Sequence, residues 1–314
     1  MPPTVALTGA SGFIGRTIAQ HLCQAGFMVR GLVRPPRSTQ DLQDLGVELV
    51  QGSLDNQESL LNLVKDCVGV VHCAGAIRGI SREDFRSTNV SGVSHLIQAC
   101  LTQPSPPRFV LLSSLAARNP SLSPYAWSKR EGEKVLAREA QSMEWVTFRP
   151  PAVYGPNDRV LRPLFQLLQM GFGIQLGSQQ TKFSLIDVDD LSEVILLWLK
   201  KNGVPFKIFE VDDGFPGGYS WEEVFRYSKH PLRLRLHLPP TLLKFLSSSN
   251  EVLSRIFRYA PIFTTGKVAE LLHPNWVCNN ADVTKALGWN PQISLEEGLR
   301  RLFTSDRLTS SREP

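Results

Sequence analysis

Along the first half of the chain, short apolar runs alternate with longer stretches whose apolar residues recur at three- and four-residue spacing. The runs fall at residues 5–7, 28–33, 47–50, 68–71, 109–112 and 145–148, and the helical periodicity at 13–24, 59–65, 90–101 and 124–141. Each run is almost continuously apolar, the pattern of a strand covered on both faces. The alternation predicts successive βαβ units, whose crossovers are right-handed. The fold class expected is therefore α/β, a doubly wound parallel sheet (Rossmann fold) with its ligand at the C-terminal ends of the strands. After Pro150 the pattern loosens into a Pro- and Gly-bearing loop, an amphipathic stretch 160–170, a strand-like 183–186, a helix 190–200 and a strand 206–211. Segment 236–259 mixes Leu, Phe and Ile with Lys, Arg and Ser at roughly helical spacing. It reads as a pair of helices in a lid or lobe, or as a helix against a membrane surface or a partner. The last ten residues read as a frayed end.

A length of 314 residues with 42% hydrophobic and 20% charged residues suits an ordinary globular protein, and it excludes a disordered tail or a disulfide mini-fold. The net charge of +5 is small for this length and is not gathered into one run, so nucleic acid is not implied and an anionic small ligand is permitted. The five cysteines are odd in number, far apart and without metal-ligand spacing, which predicts reduced thiols and a cytoplasmic location. No basic segment leads into an apolar run at the N-terminus, so no export signal is expected. Apolar runs such as 194–199 fall well short of the about 20 residues that an integral membrane helix needs. The histidines are dispersed, so no metal site is expected. The acids Asp187, Asp189 and Asp190 precede a helical run and read as helix caps.

The sharpest motif is Thr8-Gly9-Ala10-Ser11-Gly12-Phe13-Ile14-Gly15, directly after the first strand and opening the first helix. Gly9 permits the tight turn, Gly12 lets the backbone approach a pyrophosphate, and Gly15 lets helix and strand pack closely. The helix N-terminus then offers its unpaired N–H groups to the phosphates of a dinucleotide. Residues 1–150 are therefore expected to form a dinucleotide-binding domain. Residues 151–314 would form mainly a smaller substrate-binding lobe, with some segments returning to the sheet. The second strand runs into Val33-Arg34-Pro35-Pro36-Arg37, without the acid that an NAD-selective site places on the ribose. Arg34 and Arg37 either bind a 2′-phosphate, which makes NADP(H) the preferred cofactor with NAD(H) possible, or are solvated surface residues.

The second motif is Tyr125-Ala126-Trp127-Ser128-Lys129, an i, i+4 pair that sets a phenol and an ammonium on one helix face, with Ser123-Pro124 as its start signal. Upstream, Ser113 and Ser114 close the apolar run 109–112 at the ligand-facing edge of the sheet. Three groups then converge: Tyr125 as general acid/base, Ser114 on the same substrate oxygen, and Lys129 tuning the phenol and holding the cofactor. A neighbouring ammonium and the positive charge of an oxidised nicotinamide are expected to bring the phenol down toward working pH.

These residues resemble the short-chain dehydrogenase/reductase superfamily in its extended branch, the NAD-dependent epimerase/dehydratase family. Further matches are His72-Cys-Ala-Gly-Ala76, Asn89-Val-Ser-Gly92, Arg149-Pro-Pro-Ala-Val-Tyr-Gly-Pro156, the stretch 183–190 and Leu287-Gly-Trp-Asn-Pro291. The resemblance implies that Phe13 and Ile14 lie on the pyrophosphate, that Cys73, Ala74 and Gly75 line the adenosine side, and that Pro151 to Val153 back the nicotinamide. It also implies that Arg34 is the NADP-selective arginine of the reductase members. Where the family has an Asp before the hydrophobic residue that contacts adenine, this chain has Gly52-Ser53-Leu54, so the adenine amino contact is expected to be weaker or to fall to Ser53 or Asp55. The Thr-Asp-Glu triplet of the dehydratases is replaced by Ser114-Leu115-Ala116, which removes the acid and base of β-elimination. The function expected is hydride transfer at a secondary alcohol or ketone carbon of a small-molecule substrate, by an oxidoreductase or epimerase. The alternative is a non-catalytic NAD(P)-binding sensor or assembly protein. The resemblance also implies a homodimer through residues 82–101 and 124–141.

Overall fold

In a computed structural model, residues 2–34, 39–204 and 207–310 are described, with side chains as far as residue 303. Arg37 lies outside the described residues. The apolar runs become strands β1 (Thr4–Thr8), β2 (Met28–Val33), β3 (Glu48–Gln51), β4 (Gly69–His72), β5 (Arg108–Leu112) and β6 (Trp145–Arg149), with helix α1 (Phe13–Gln24) after β1. They assemble in the order β3-β2-β1-β4-β5-β6, and strand Lys207–Glu210 adds a seventh member beside β6. Every pairing in this sheet is parallel. The fold is thus α/β of the Rossmann type.

Period-two alternation divides the strands between two cores. Val5 and Leu7 of β1 enter one core with Ile18 and Leu22 of α1 and with Leu191, Ile195 and Trp198 of helix Val188–Lys200. Ala6 enters the other, with Leu60, Leu96 and Leu136 from helices Gln57–Val64, Gly92–Leu101 and Pro124–Glu139. From β1 the chain winds outward to β3, then returns to β4 on the other side of β1. That reversal opens a crevice at the C-terminal ends of β1 and β4, where Thr8 lies opposite His72.

Beyond β6, three two-stranded parallel pairs surround a third core that includes Tyr154, Phe165, Leu185, Tyr219 and Leu299. Two expectations change here. The strand read at 183–186 is two, Lys182–Phe183 and Leu185–Asp187, because Ser184 between them turns into the interior. Its hydroxyl donates to Asp212 at 2.5 Å and accepts the Cys278 N–H at 3.1 Å, so the flanking residues pair with different partners. The segment read as a helix pair is strand Leu234–Leu238 followed by a single helix, Pro240–Phe257. Pro239-Pro240 separates them, since the residue before a proline is driven out of the helical region.

Candidate active site

The glycine turn fits a bound dinucleotide on its own geometry. Gly9 has φ of +74°, and a side chain there would run into the Ala74 backbone. A side chain at Gly15 would overlap the Gly9 carbonyl. Gly12 is the N-cap of α1, which has neither a capping side chain nor an acid in its first turn, so its leading N–H groups keep their capacity for phosphate. Ser11 sits inside this turn, with its carbonyl accepting from the Arg16 guanidinium at 3.2 Å. The Phe13 ring reaches toward Gly155, and Ile14 packs on the core beneath.

Across the crevice, the loop after β4 is held from both sides. The Thr8 hydroxyl lies 2.7 Å from His72 Nδ1 and accepts the Ala74 N–H at 3.2 Å. Burial, with the Lys129 charge acting the same way, drives His72 down to about 3, so the ring is neutral and acts as a buried hydrogen-bond partner. Asn89 accepts the Ala76 N–H at 2.8 Å and donates to the Ala76 carbonyl and to Ser128 at 3.0 and 2.9 Å. Cys73, Ala74 and Gly75 are thereby tied to β1 on one side and to helix Pro124–Glu139 on the other. Burial pushes the Cys73 thiol up to about 12, so it is no nucleophile at neutral pH. At the outer rim, Arg34 is exposed directly after β2. The Ser53 hydroxyl donates to Asp55 and holds that carboxyl below its ordinary value, with His95 and Arg34 adding to the effect. Leu54 packs where a side chain on Gly92 would otherwise stand.

Helix Pro124–Glu139 begins as its sequence dictates, with the Ser123 hydroxyl accepting the Ala126 N–H at 2.9 Å and Pro124 in the first turn. Ser114 caps the short turn Leu115–Arg118 that follows β5. The two starts bring the Ser114 hydroxyl and the Tyr125 phenol into hydrogen-bond contact. Lys129 is buried one turn on, donating to the Leu112 carbonyl at 2.6 Å and facing Gly75. Burial lowers its ammonium to about 8, against the pull of Cys73 and Glu133. Tyr125 moves the opposite way from the sequence expectation. Burial, then the Glu270 carboxylate, pushes the phenol up to about 12, and only the Ser114 bond opposes them. The ammonium is engaged by the Leu112 carbonyl, and the charge that Tyr125 feels most from the protein is negative. The phenol therefore stays protonated at neutral pH.

Glu270 is the site residue that sequence reading misses. It is buried on helix Thr265–Leu272, accepts a hydrogen bond from Ser123, and pairs with Lys267 at 2.9 Å. In sequence, Lys267 and Glu270 look like any solvated i, i+3 pair. A buried ion pair lies beneath the site. Glu133 accepts from Arg149 through two bonds of 2.8 and 2.5 Å and from Ser113 at 2.6 Å. Asp187 caps helix Val188–Lys200, Asp190 accepts the N–H groups of Gln292 and Ile293, and Asp189 pairs with His21 and Arg301, as capping and packing roles require.

Ser114 and Tyr125 open onto a cavity of about 350 Å³. Pro151 and Ala152 form part of its wall, and Val153 packs on the adjoining core. The rest of the lining is dominated by Leu164, Phe165, Phe183, Trp221, Leu271 and Trp276. No arginine is among the described lining residues, and its one lysine, Lys267, is paired with Glu270.

Residues 5–211 match the model of the NAD dependent epimerase/dehydratase family. The chain belongs to this family. It is an NAD(P)-binding Rossmann protein of a family of reductases and epimerases. Among relatives, it is 32% identical to the ceramide reductase of Caulobacter vibrioides over 286 residues, covering 90% of this chain and 88% of that one. It is 24% identical to the UDP-glucose 4-epimerase of Vibrio cholerae over 327 residues, covering 96% and 94%. Its fold matches the crystal structure of UDP-glucuronic acid 4-epimerase from Bacillus cereus, in complex with UDP-glucuronic acid and NAD. That match has a TM-score of 0.72 at 17% identity over 98% of this chain and 99% of that one. Among the described residues, no helix is long and apolar enough to cross a membrane.

A prediction arises from Glu270. Replacing it with Gln removes the negative charge that raises the Tyr125 phenol, so the phenolate forms at lower pH. With Tyr125 in the proposed role of base for alcohol oxidation, the alkaline rise in rate is expected to move to lower pH in Glu270→Gln. An unmoved rise in the pH–rate profile would show that Glu270 does not act on Tyr125.

Proposed function

We propose that the protein is an NADP(H)-dependent reductase that converts a ketone on a bulky, apolar substrate to a secondary alcohol. The observation that supports this reading is the cavity at Ser114 and Tyr125, whose walls are mainly apolar and, among the described residues, include no arginine of the kind that a sugar-nucleotide pyrophosphate calls for. The likeness to a ceramide reductase supports a ketone carried on a long-chain lipid of that class. Residues 1–150 hold the dinucleotide in this reading, and the chain from 151 onward contributes most of the substrate side.

When bound, the nicotinamide supplies the hydride that the carbonyl carbon accepts. Tyr125 donates its phenolic proton to the carbonyl oxygen as charge develops there, and Ser114 hydrogen-bonds the same oxygen. The upward shift of the phenol suits this direction, because the donor stays loaded across the neutral range. Lys129, buried and still largely protonated at pH 7, holds the nicotinamide ribose. Gly9, Ser11, Gly12 and Gly15 receive the pyrophosphate on the N-terminus of α1, with Phe13 and Ile14 beside it. Cys73, Ala74 and Gly75 line the adenosine side, Ser53 and Leu54 flank the adenine, and Pro151 and Val153 back the nicotinamide. Arg34 pairs with the 2′-phosphate.

The reading is tested by following NADPH oxidation with a long-chain amide ketone and, in parallel, epimerisation of UDP-glucose. Turnover of the ketone alone supports it. Epimerisation without net cofactor change would replace it with the sugar-nucleotide activity, and no reaction with retained cofactor binding would leave the sensor reading in its place. For the cofactor, tryptophan-quenching titrations are expected to give tighter binding of NADPH than NADH. Loss of one charge-assisted pair in Arg34→Ala is expected to cost about 1.5–3 kcal/mol of NADPH affinity and little for NADH. Equal affinities in the wild type would remove the role given to Arg34.

A further inference from the structure

We infer that helix Pro240–Phe257 seats the protein on the surface of an anionic lipid bilayer. The helix has 18 residues, about 27 Å at 1.5 Å per residue, and only Leu243, Ser247 and Ser254 are buried against the protein. Away from that narrow face, Phe245, Leu246, Val252, Leu253, Ile256 and Phe257 are all exposed, with Phe245 and Phe257 at 68% and 71%. At about 100° per residue these six share an arc of about 140°, in two uncovered apolar clusters, 245–246 and 252–257, with Ser249 between them on the same face. Single exposed apolar residues are ordinary on a protein surface, but six on one helix face mark an interaction face.

The charges flanking the stripe select its partner. Lys244 and Arg255 are exposed beside it and Arg258 closes the helix, and none has a carboxylate partner among the described residues. The single acid on the helix, Glu251, shares the flank of Lys244 and Arg255 and is engaged within the protein, accepting the Thr265 N–H and hydroxyl at 2.7 and 2.8 Å. Aromatic and aliphatic residues on one face, with cations at the rim and the one acid bonded to the neighbouring helix, are the composition of a helix that lies in an anionic lipid interface. A two-fold contact with a second copy would instead set this cationic rim against itself.

The helix is also tied to the substrate cavity. Asn250 donates to the Phe263 carbonyl at 2.7 Å, and the neighbouring Ile262 and Thr264 line the cavity. The Pro261 carbonyl accepts the N–H of Gly79, a residue of the same wall. The apolar-substrate reading supplies the reason for such a seat, and the inference rests on that reading only for this reason.

The test is flotation of the full-length protein with phosphatidylcholine vesicles that contain phosphatidylglycerol, compared with pure phosphatidylcholine. The protein is expected to float with the anionic vesicles and to release at raised salt. Phe245→Glu with Phe257→Glu is expected to weaken vesicle binding by roughly ten-fold or more, because two aromatic anchors are replaced by charges. Lys244→Glu with Arg255→Glu is expected to weaken it independently. Since all four side chains are exposed, the thermal midpoints should match the wild type. Failure of the wild type to float, or equal flotation of wild type and both variants, would overturn the inference. So would a lipid-free dimer that Phe245→Glu with Phe257→Glu dissolves, which would give the stripe to a second copy. Flotation is read without turnover, so a protein that floats but reduces no ketone would refute the proposed reaction and leave the surface standing.

Discussion

Tyr125→Phe is expected to lower ketone turnover by about 10²–10⁴-fold, the usual worth of a positioned general acid, while NADPH binding stays within about two-fold of wild type. The substitution removes one hydroxyl. The ring keeps its edge contact with Phe85, and the helix start at Ser123 does not involve the phenol. What disappears is a proton donor that bonds to Ser114 and remains protonated near pH 7. Stopped-flow or steady-state NADPH oxidation reads the chemical loss, and tryptophan quenching reads the retained binding. Turnover within about ten-fold of wild type would move the acid role elsewhere, with Lys129 next in line because its ammonium titrates near 8. The pH profile separates the two. A reductive rate that depends on Tyr125 stays level through the neutral range, because a phenol near 12 is still protonated there. A Lys129 acid would lose rate as the pH rises through about 8.

Glu133→Leu is expected to destabilise the fold by about 3–5 kcal/mol, because it leaves the Arg149 guanidinium buried without its counterion. The same change strips Ser113 of its acceptor. Ser113 adjoins Ser114, Lys129 lies one turn before Glu133, and Arg149 ends β6 just ahead of Pro151, so the pair braces three segments of the site from below. A urea-unfolding midpoint shifted by the corresponding amount checks the first claim. Adding Arg149→Met to Glu133→Leu is expected to recover part of the loss, since an apolar pair in place of a buried ion pair removes the unpaired charge. If the double variant is no more stable than Glu133→Leu alone, the cost comes from packing rather than from the stranded charge.

The reach of the sequence differs from residue to residue. Gly9, Gly12 and Gly15 are legible because their demands are local: a positive φ, an uncapped helix start and a close helix–strand approach all fall within eight residues. Tyr125 and Lys129 share a face by helix periodicity alone, and Ser114 follows from the end of an apolar strand. The doubly wound parallel sheet follows from the βαβ alternation and the right hand of such crossovers. Where a segment's conformation depends on partners far along the chain, pattern misleads. Residues 236–238, read with the helical segment 236–259, instead end strand Leu234–Leu238, which pairs with the edge of Phe172–Leu176. Residues 183–186 split because Asp212 and the Cys278 N–H draw Ser184 inward.

The same distinction decides the chemistry. The chain by itself determined the α/β fold, the dinucleotide turn and the presence of a phenol, an ammonium and a hydroxyl at the strand ends, because each rests on short-range sterics or on a periodic pattern. Only the tertiary structure decided the charge state of that phenol. Helix Thr265–Leu272 carries Glu270 against Tyr125, and the Leu112 carbonyl takes up the Lys129 ammonium. Only the tertiary structure, too, decided that the cavity is apolar and that the outer face of helix Pro240–Phe257 is uncovered. Burial and Coulomb fields depend on distances in space, and residues far apart in the chain come within range only when the whole domain has packed.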